Sequence, residues 1–376
     1  MNLHTNLQDS LHDTLHDRKM CSALLDKLKR SIDEYGKPIR FMEVCGTHTV
    51  SIFQSGLRTL LPEGFTHLSG PGCPVCVTHD SEVATFLRLA EKENVILATF
   101  GDLIRVPAPD GRSLKHSMAN GANVQIVYSP MDAVKLALDN PQKEVVFLGV
   151  GFETTAPTIA ATIMAAKSKN IKNYSVFCCH KLVPPALAVL LDNNINDRYI
   201  DAFLLPGHVS LVTGLVPFEF IAKDYRYPAV VAGFEPAEII HALYLISEQK
   251  RQGKALVENA YTRAVSYEGN VTAKNILNTV FEVCDTKWRG LGEIPQSGLK
   301  IKKDFADFDA LIKHDEQVVP TKPLAGCKCG EVLQGKITPA QCPLFAKVCT
   351  PQNPTGPCMV STEGSCAAWY NYQGLE

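Results

Sequence analysis

From residue 38 to about 245, apolar and polar positions repeat one plan: a short β-branched or aromatic run, a loop of Gly, Pro, Thr and His, then an amphipathic stretch of helical period. That order is βαβ architecture. The runs at 39–44, 95–100, 124–128, 145–150, 175–179, 202–205 and 229–232 are nearly continuous apolar segments, of the kind buried on both faces of a parallel sheet. Helices are expected over 130–140, 155–169, 185–192 and 236–249, where Pro or Thr near the start and polar or Gly residues at the end punctuate the pattern.

The fold class expected is α/β, with two Rossmann-like parallel-sheet domains facing a cleft and a small Cys-rich iron-sulfur module. The division read from the sequence is an N-terminal helical extension (1–37), a first α/β domain (38–140), a second (141–250), and a helical segment with the C-terminal module (251–376). Within the last, residues 250–320 look more helical. The charged run KIKKDFADFDALIKHDE reads as a solvated surface helix or linker. After Pro320 the composition shifts to Cys, Pro and Gly.

With 376 residues, 45% hydrophobic and 20% charged, the chain is long enough to bury several cores. Its 37 basic and 39 acidic residues give a net charge of -2 with no long run of one sign, which argues against a nucleic acid or anionic membrane partner. The first twenty residues lack the apolar core of a signal peptide, and no stretch reaches the roughly 18–20 apolar residues of a membrane span. A cytoplasmic location is expected. In that compartment 13 cysteines point to metal, redox or nucleophile chemistry rather than a disulfide framework.

Six of them crowd the tail CKCGEVLQGKITPAQCPLFAKVCTPQNPTGPCMVSTEGSC. Cys327, Cys342, Cys349 and Cys366 are separated by 14, 6 and 16 residues, and Cys329 and Cys358 are extra thiols. An iron-sulfur cubane needs four thiolates, and Pro- and Gly-rich loops let the backbone wrap it. A structural zinc site also takes four thiolates but usually brings two CxxC knuckles, which the tail lacks. Spacing alone does not choose between Cys327 and Cys329 as first ligand.

Upstream, RFMEVCGTHTVSIFQSG ends an apolar strand at Cys45 and opens a helix through Thr47, His48 and Thr49. A thiol at a helix N-terminus tends toward a lowered pKa, and His48 completes a Cys/His pair suited to metal binding or proton transfer. The alternative is a buried strand-end Cys beside a capping Thr. In LSGPGCPVCVTHD, Cys73 and Cys76 have the spacing of an easily made and broken disulfide ahead of a helix. Half a zinc knuckle is less favoured, since no second CxxC exists in the chain.

VVFLGVGFETTAPTIAA approaches a dinucleotide fingerprint, but Thr154 stands where the third glycine belongs and the next strand lacks the acid for ribose. Glu153, Thr154 and Thr155, with His208 of LLPGHVS and Glu235 of AGFEPAE, follow strands directly. Each alone could be a helix cap. Together with Cys45 and the Cys73 loop, they mark a common rim at the carboxyl ends of parallel strands.

CGTHT, GPGCPVC, GFETTAP, PGHVS, GFEP and the tail ending CMVSTEGSCAAWY, in that order, resemble the HypD family of hydrogenase maturation factors over nearly the whole chain from residue 38. The resemblance implies a scaffold on which the Fe(CN)2CO unit of [NiFe]-hydrogenase is assembled with a small chaperone, HypC, and a cyanide donor, HypE. It further implies Cys45 as iron ligand, Cys73 and Cys76 as a dithiol pair exchanging electrons with a [4Fe-4S] cluster, and Cys327, Cys342, Cys349 and Cys366 as cluster ligands. His48 and Glu153 become groups lining the assembly cleft. The rival reading is an iron-sulfur-dependent protein disulfide reductase, in which Cys45 is dispensable; a third is a zinc-stabilised binding module.

Overall fold

The computed structural model describes residues 18–197, 199–322 and 325–372. Among the described residues eleven strands build two parallel sheets and one hairpin. They are β1 (Ile39–Glu43), β2 (Phe65–Ser69), β3 (Val95–Thr99), β4 (Val124–Ile126), β5 (Glu144–Gly149), β6 (Tyr174–Cys178), β7 (Ala202–Pro206), β8 (Ala229–Ala232), β9 (Val257–Asn259), β10 (Phe281–Trp288) and β11 (Gly292–Ile301). The first sheet has the order β2-β1-β7-β8-β9, the second β4-β3-β5-β6, and both are parallel throughout.

All seven expected strands exist, and the helices Pro130–Asp139, Ala156–Ser168, Val183–Asp197 and Pro236–Arg251 cover the four expected ones. β3, β7 and β8 are buried at every position, as continuous apolar runs require when helices cover both sheet faces.

The division expected near residue 140 falls inside a sheet. β3 pairs with β5, Val95 opposite Glu144, while β1 pairs with β7, Phe41 opposite Ala202. The chain starts the first sheet, builds the whole second sheet, and returns to finish the first. Apolar periodicity identifies a strand but not its neighbour, so this exchange leaves no local mark.

Residues 250–320 differ from expectation too. The helix Val271–Val280 is followed by the antiparallel hairpin β10–β11, which straps the end of β6: Leu182 N–H donates to Ser297 O (2.8 Å) and Leu299 N–H to His180 O (3.2 Å). The charged run is not a free surface helix. It starts in β11, turns through Lys303–Phe308, and buries Phe308 and Ala310 against the second sheet.

The N-terminal extension is helical over Arg18–Tyr35, and the part of it before residue 18 lies outside the described residues. The cysteine-rich module has its own small core of Phe345, Cys349, Met359, Ala368 and Trp369, which takes in Phe53 from the helix Gly46–Gln54. Burying Phe53 there contributes about 1.5–3 kcal/mol. It fixes the module to the helix that begins at Cys45. Among the described residues no helix is long and apolar enough to cross a membrane.

Candidate metallocentre-assembly cleft

The carboxyl ends of β1, β3, β5 and β7 open toward one cavity of about 250 Å3. Its walls include Cys45 and Thr47 after β1, Asp102 after β3, Thr154 and Thr155 after β5, His208 after β7, and Ser361 and Glu363 from the module. Thus two sheets and the tail each contribute to one site, where parallel α/β folds present their polar loops.

Two glycine-rich loops interlock at the floor. Gly46 N–H donates to Gly72 O (2.9 Å), and Gly70 N–H to Glu43 O (2.8 Å). A Cβ on Gly72 would lie 2.2 Å from Cys45 N, so only glycine allows this approach. Cys73 and Cys76 follow at once, joined as a disulfide with Cα atoms 5.2 Å apart, both buried. The CPVC motif thereby stands next to Cys45 through backbone contacts between the two loops.

Behind Cys45 lies Glu43, buried on β1. Its carboxylate accepts from Cys45 N–H (2.9 Å) and from the Thr49 hydroxyl (2.6 Å), with His67 Nε2 at 3.8 Å. Cys45 occupies the N-cap position of its helix, as expected. Its thiol is not acidified there. Burial first, and the Glu363 charge second, push it up to about 12, outweighing the amides of His48 and Thr47 that act the other way. Desolvation beats the helix end.

A hydrogen-bond chain crosses the cavity wall. The Ser361 hydroxyl donates to Asp102 Oδ2 (3.0 Å), Glu363 N–H to Ser361 Oγ (3.3 Å), and the Thr47 hydroxyl to Glu363 Oε1 (2.9 Å). Burial raises the Glu363 carboxyl above its usual range. Sequence reasoning did not single out Asp102, Ser361 or Glu363. Asp102 follows a strand through Gly101, the signal used for His208; the module pair has no comparable mark.

His48 and Glu153 do not line this cavity. His48 is fully buried, with Nε2 2.9 Å from Gly233 O and its ring against Phe234, which also stacks on the cavity-lining His208 at 3.9 Å between centroids. Burial lowers the His48 pKa to about 4, which keeps the ring neutral. Glu153 turns into the protein and accepts from Val183 N–H (3.0 Å); burial raises its pKa to about 7. Glu235 caps the helix Pro236–Arg251 and is likewise absent from the cavity. The rim expected from strand ends therefore keeps Cys45 and His208, together with Thr154 and Thr155, and loses Glu153 and Glu235.

All six tail cysteines line a second cavity, otherwise walled by Val332, Leu344, Phe345, Gly356 and Met359. Cys329 Sγ and Cys358 Sγ lie 2.6 Å apart and buried. Among the described residues, no three His, Cys, Asp or Glu side chains converge as a single-ion site. A four-iron cubane takes one thiolate at each iron corner, so its ligands line a cavity rather than meet at a point. Thiol donors in an apolar shell fit such a group. The turn Pro357–Met359, carrying Cys358, rests on the helix Pro74–Val77, carrying Cys76.

The family model for HypD, described as the hydrogenase formation hypA family, matches residues 19–373. A hydrogenase maturation factor HypD from Escherichia coli is 48% identical over 343 residues, covering 90% of this chain and 91% of the relative. Its namesake from Cupriavidus necator is 45% identical over 342 residues, 90% of each chain. A third, HypD2 of Bradyrhizobium diazoefficiens, is 43% identical over 361 residues, 95% of each. A match over this span, in a chain with these interlocked cysteine loops, shows that the protein belongs to the HypD family of hydrogenase maturation factors.

Proposed function

We propose that the protein is a cytoplasmic scaffold for building the Fe(CN)2CO unit of [NiFe]-hydrogenase, with that iron unit as cargo held at Cys45. The observation that carries this reading is Cys45 at the floor of a cavity shared by both sheets and the module, against a loop bearing the Cys73–Cys76 disulfide. A soft thiolate suits low-spin iron. The high proton affinity of Cys45 keeps the thiol protonated until a cation arrives to displace the proton. Thr154 brings a hydroxyl donor to the same cavity, able to hydrogen-bond a cyanide nitrogen on the cargo.

Cys327, Cys342, Cys349 and Cys366 would hold a [4Fe-4S] cluster, which supplies one-electron chemistry when bound. That choice follows the resemblance and leaves Cys329 and Cys358, whose sulfurs lie 2.6 Å apart, outside the ligand set. Cys358 instead sits on the turn that rests against the CPVC helix. A HypC-type chaperone and a HypE-type cyanide donor are the partners this reading requires, each reaching the cargo through the cavity mouth.

The rival, an iron-sulfur-dependent protein disulfide reductase, uses CPVC and the module but not Cys45. Cys45→Ala separates the two in cells: the scaffold reading predicts loss of hydrogenase maturation, and maturation at wild-type level would leave the reductase reading in its place.

A further inference from the structure

The hairpin β10–β11 carries a contact that none of the chemistry above uses. Its tip runs beside the CPVC turn: Thr78 forms an antiparallel bridge with Trp288, and Arg289 N–H donates to Val77 O (2.9 Å). The Arg289 side chain is buried. Its Nε donates to Thr78 O (3.0 Å), its Nη1 pairs with Asp80 at the start of the helix Asp80–Ala90, and its Nη2 has no partner among the described residues. One guanidinium thus ties both the end of the CPVC turn and the start of the next helix. The next residue, Gly290, has φ +79°, and a Cβ there would lie 2.3 Å from Gly330 Cα, in the helix that begins at Cys329. Gln334 Nε2 also donates to Gly290 O (2.5 Å). Arg289 and Gly290 share a groove with Cys327 and Cys329.

We propose that Arg289 is the positioning residue of the Cys73–Cys76 couple. By holding the Val77 and Thr78 carbonyls, it keeps the two thiols of the reduced turn close together and so favours the disulfide. The hairpin tip links that alignment to the docking of the cysteine module. The inference rests on reading Cys73 and Cys76 as a redox couple, and concerns what sets its balance. Against glutathione the step is balanced: the two sulfurs bond, their two electrons and two protons pass to oxidised glutathione, and two reduced glutathione molecules leave. A looser turn lowers the effective concentration of one thiol at the other and moves this equilibrium toward the dithiol.

The test equilibrates the full chain in glutathione buffers of stepped ratio. The Cys73/Cys76 state is then read by differential alkylation and mass spectrometry, with thermal melts alongside. Arg289→Met keeps the stem and the backbone N–H on Val77 O but loses the side-chain donors to Thr78 O and Asp80, and is expected to lower the equilibrium constant for disulfide formation about tenfold, equivalent to about 30 mV. Arg289→Lys keeps one donor and the charge beside Asp80, and should lower it about threefold. A constant equal to that of the wild type in either folded variant overturns the proposal, whatever the melts show. A wild-type pair that stays in one state at every ratio is a different failure, since it removes the redox reading itself and this inference with it.

Discussion

Thr47 and Glu363 stand 316 positions apart in sequence, yet the Thr47 hydroxyl donates to Glu363 Oε1 at 2.9 Å, beside Cys45. Through that bond the last module of the chain closes a cavity begun by its first strand. Because the Glu363 charge raises the Cys45 proton affinity, Glu363→Gln should lower the thiol pKa. Alkylation of Cys45 by iodoacetamide should then become faster at a given pH below the midpoint, and the midpoint of its pH profile should move down. A profile unchanged from wild type would remove Glu363 from the electrostatics of the site.

Glu153 offers a pH dependence whose sign is fixed by burial. Its carboxyl is raised from 4.5 to about 7 in the folded chain, so the native state holds a proton that the unfolded state has released across that window. Its contribution therefore favours folding at low pH and is lost as pH rises toward about 7. Glu153→Gln keeps an acceptor for Val183 N–H without the charge. It should flatten this decline and gain on the order of 2–3 kcal/mol above pH 7. Urea melts of both proteins between pH 4.5 and 8 check it; parallel curves would contradict it.

Gly72→Ala places a methyl group far inside van der Waals contact with the Cys45 backbone, and relief requires the two loops to part. A loss of about 1–3 kcal/mol is expected. Separation of the loops should also expose Cys45, so its alkylation rate should rise with the drop in melting temperature. A stable variant with unaltered Cys45 reactivity would show that the interlock does not hold the site.

In the module, the account separates four thiols from two. Serine at Cys327, Cys342, Cys349 or Cys366 should reduce iron and sulfide content after anaerobic purification, whereas Cys329→Ser and Cys358→Ser should retain both. Zinc in place of iron in the wild-type protein would favour the zinc-stabilised alternative.

Much of the scaffold was legible in the sequence because parallel strands buried on both faces, such as Ala229–Ala232, have to be apolar at every position. β2, reading Phe-Thr-His-Leu-Ser, escaped because it lies at a sheet edge and mixes polar with apolar residues. β10 escaped because its middle is largely exposed and polar, burying only Phe281 and Trp288 at its ends. Strand-end logic found Cys45 and His208, whose side chains line the cavity just past β1 and β7. It misjudged Glu153 and Glu235, because position after a strand does not decide whether a side chain turns toward the cavity or into the protein. The bonds joining Asp102, Ser361, Glu363 and Thr47 are tertiary, and no period or spacing encodes them.

The central claim is that Cys45 carries the iron unit, with the cysteine tail a separate centre. Infrared spectra of the anaerobically purified protein, taken from cells producing the full set of maturation proteins, test it directly. Stretching bands of bound cyanide and carbon monoxide should appear in the wild type and vanish in Cys45→Ala, with cluster iron and sulfide unchanged. The same bands persisting at full intensity in Cys45→Ala would contradict the account.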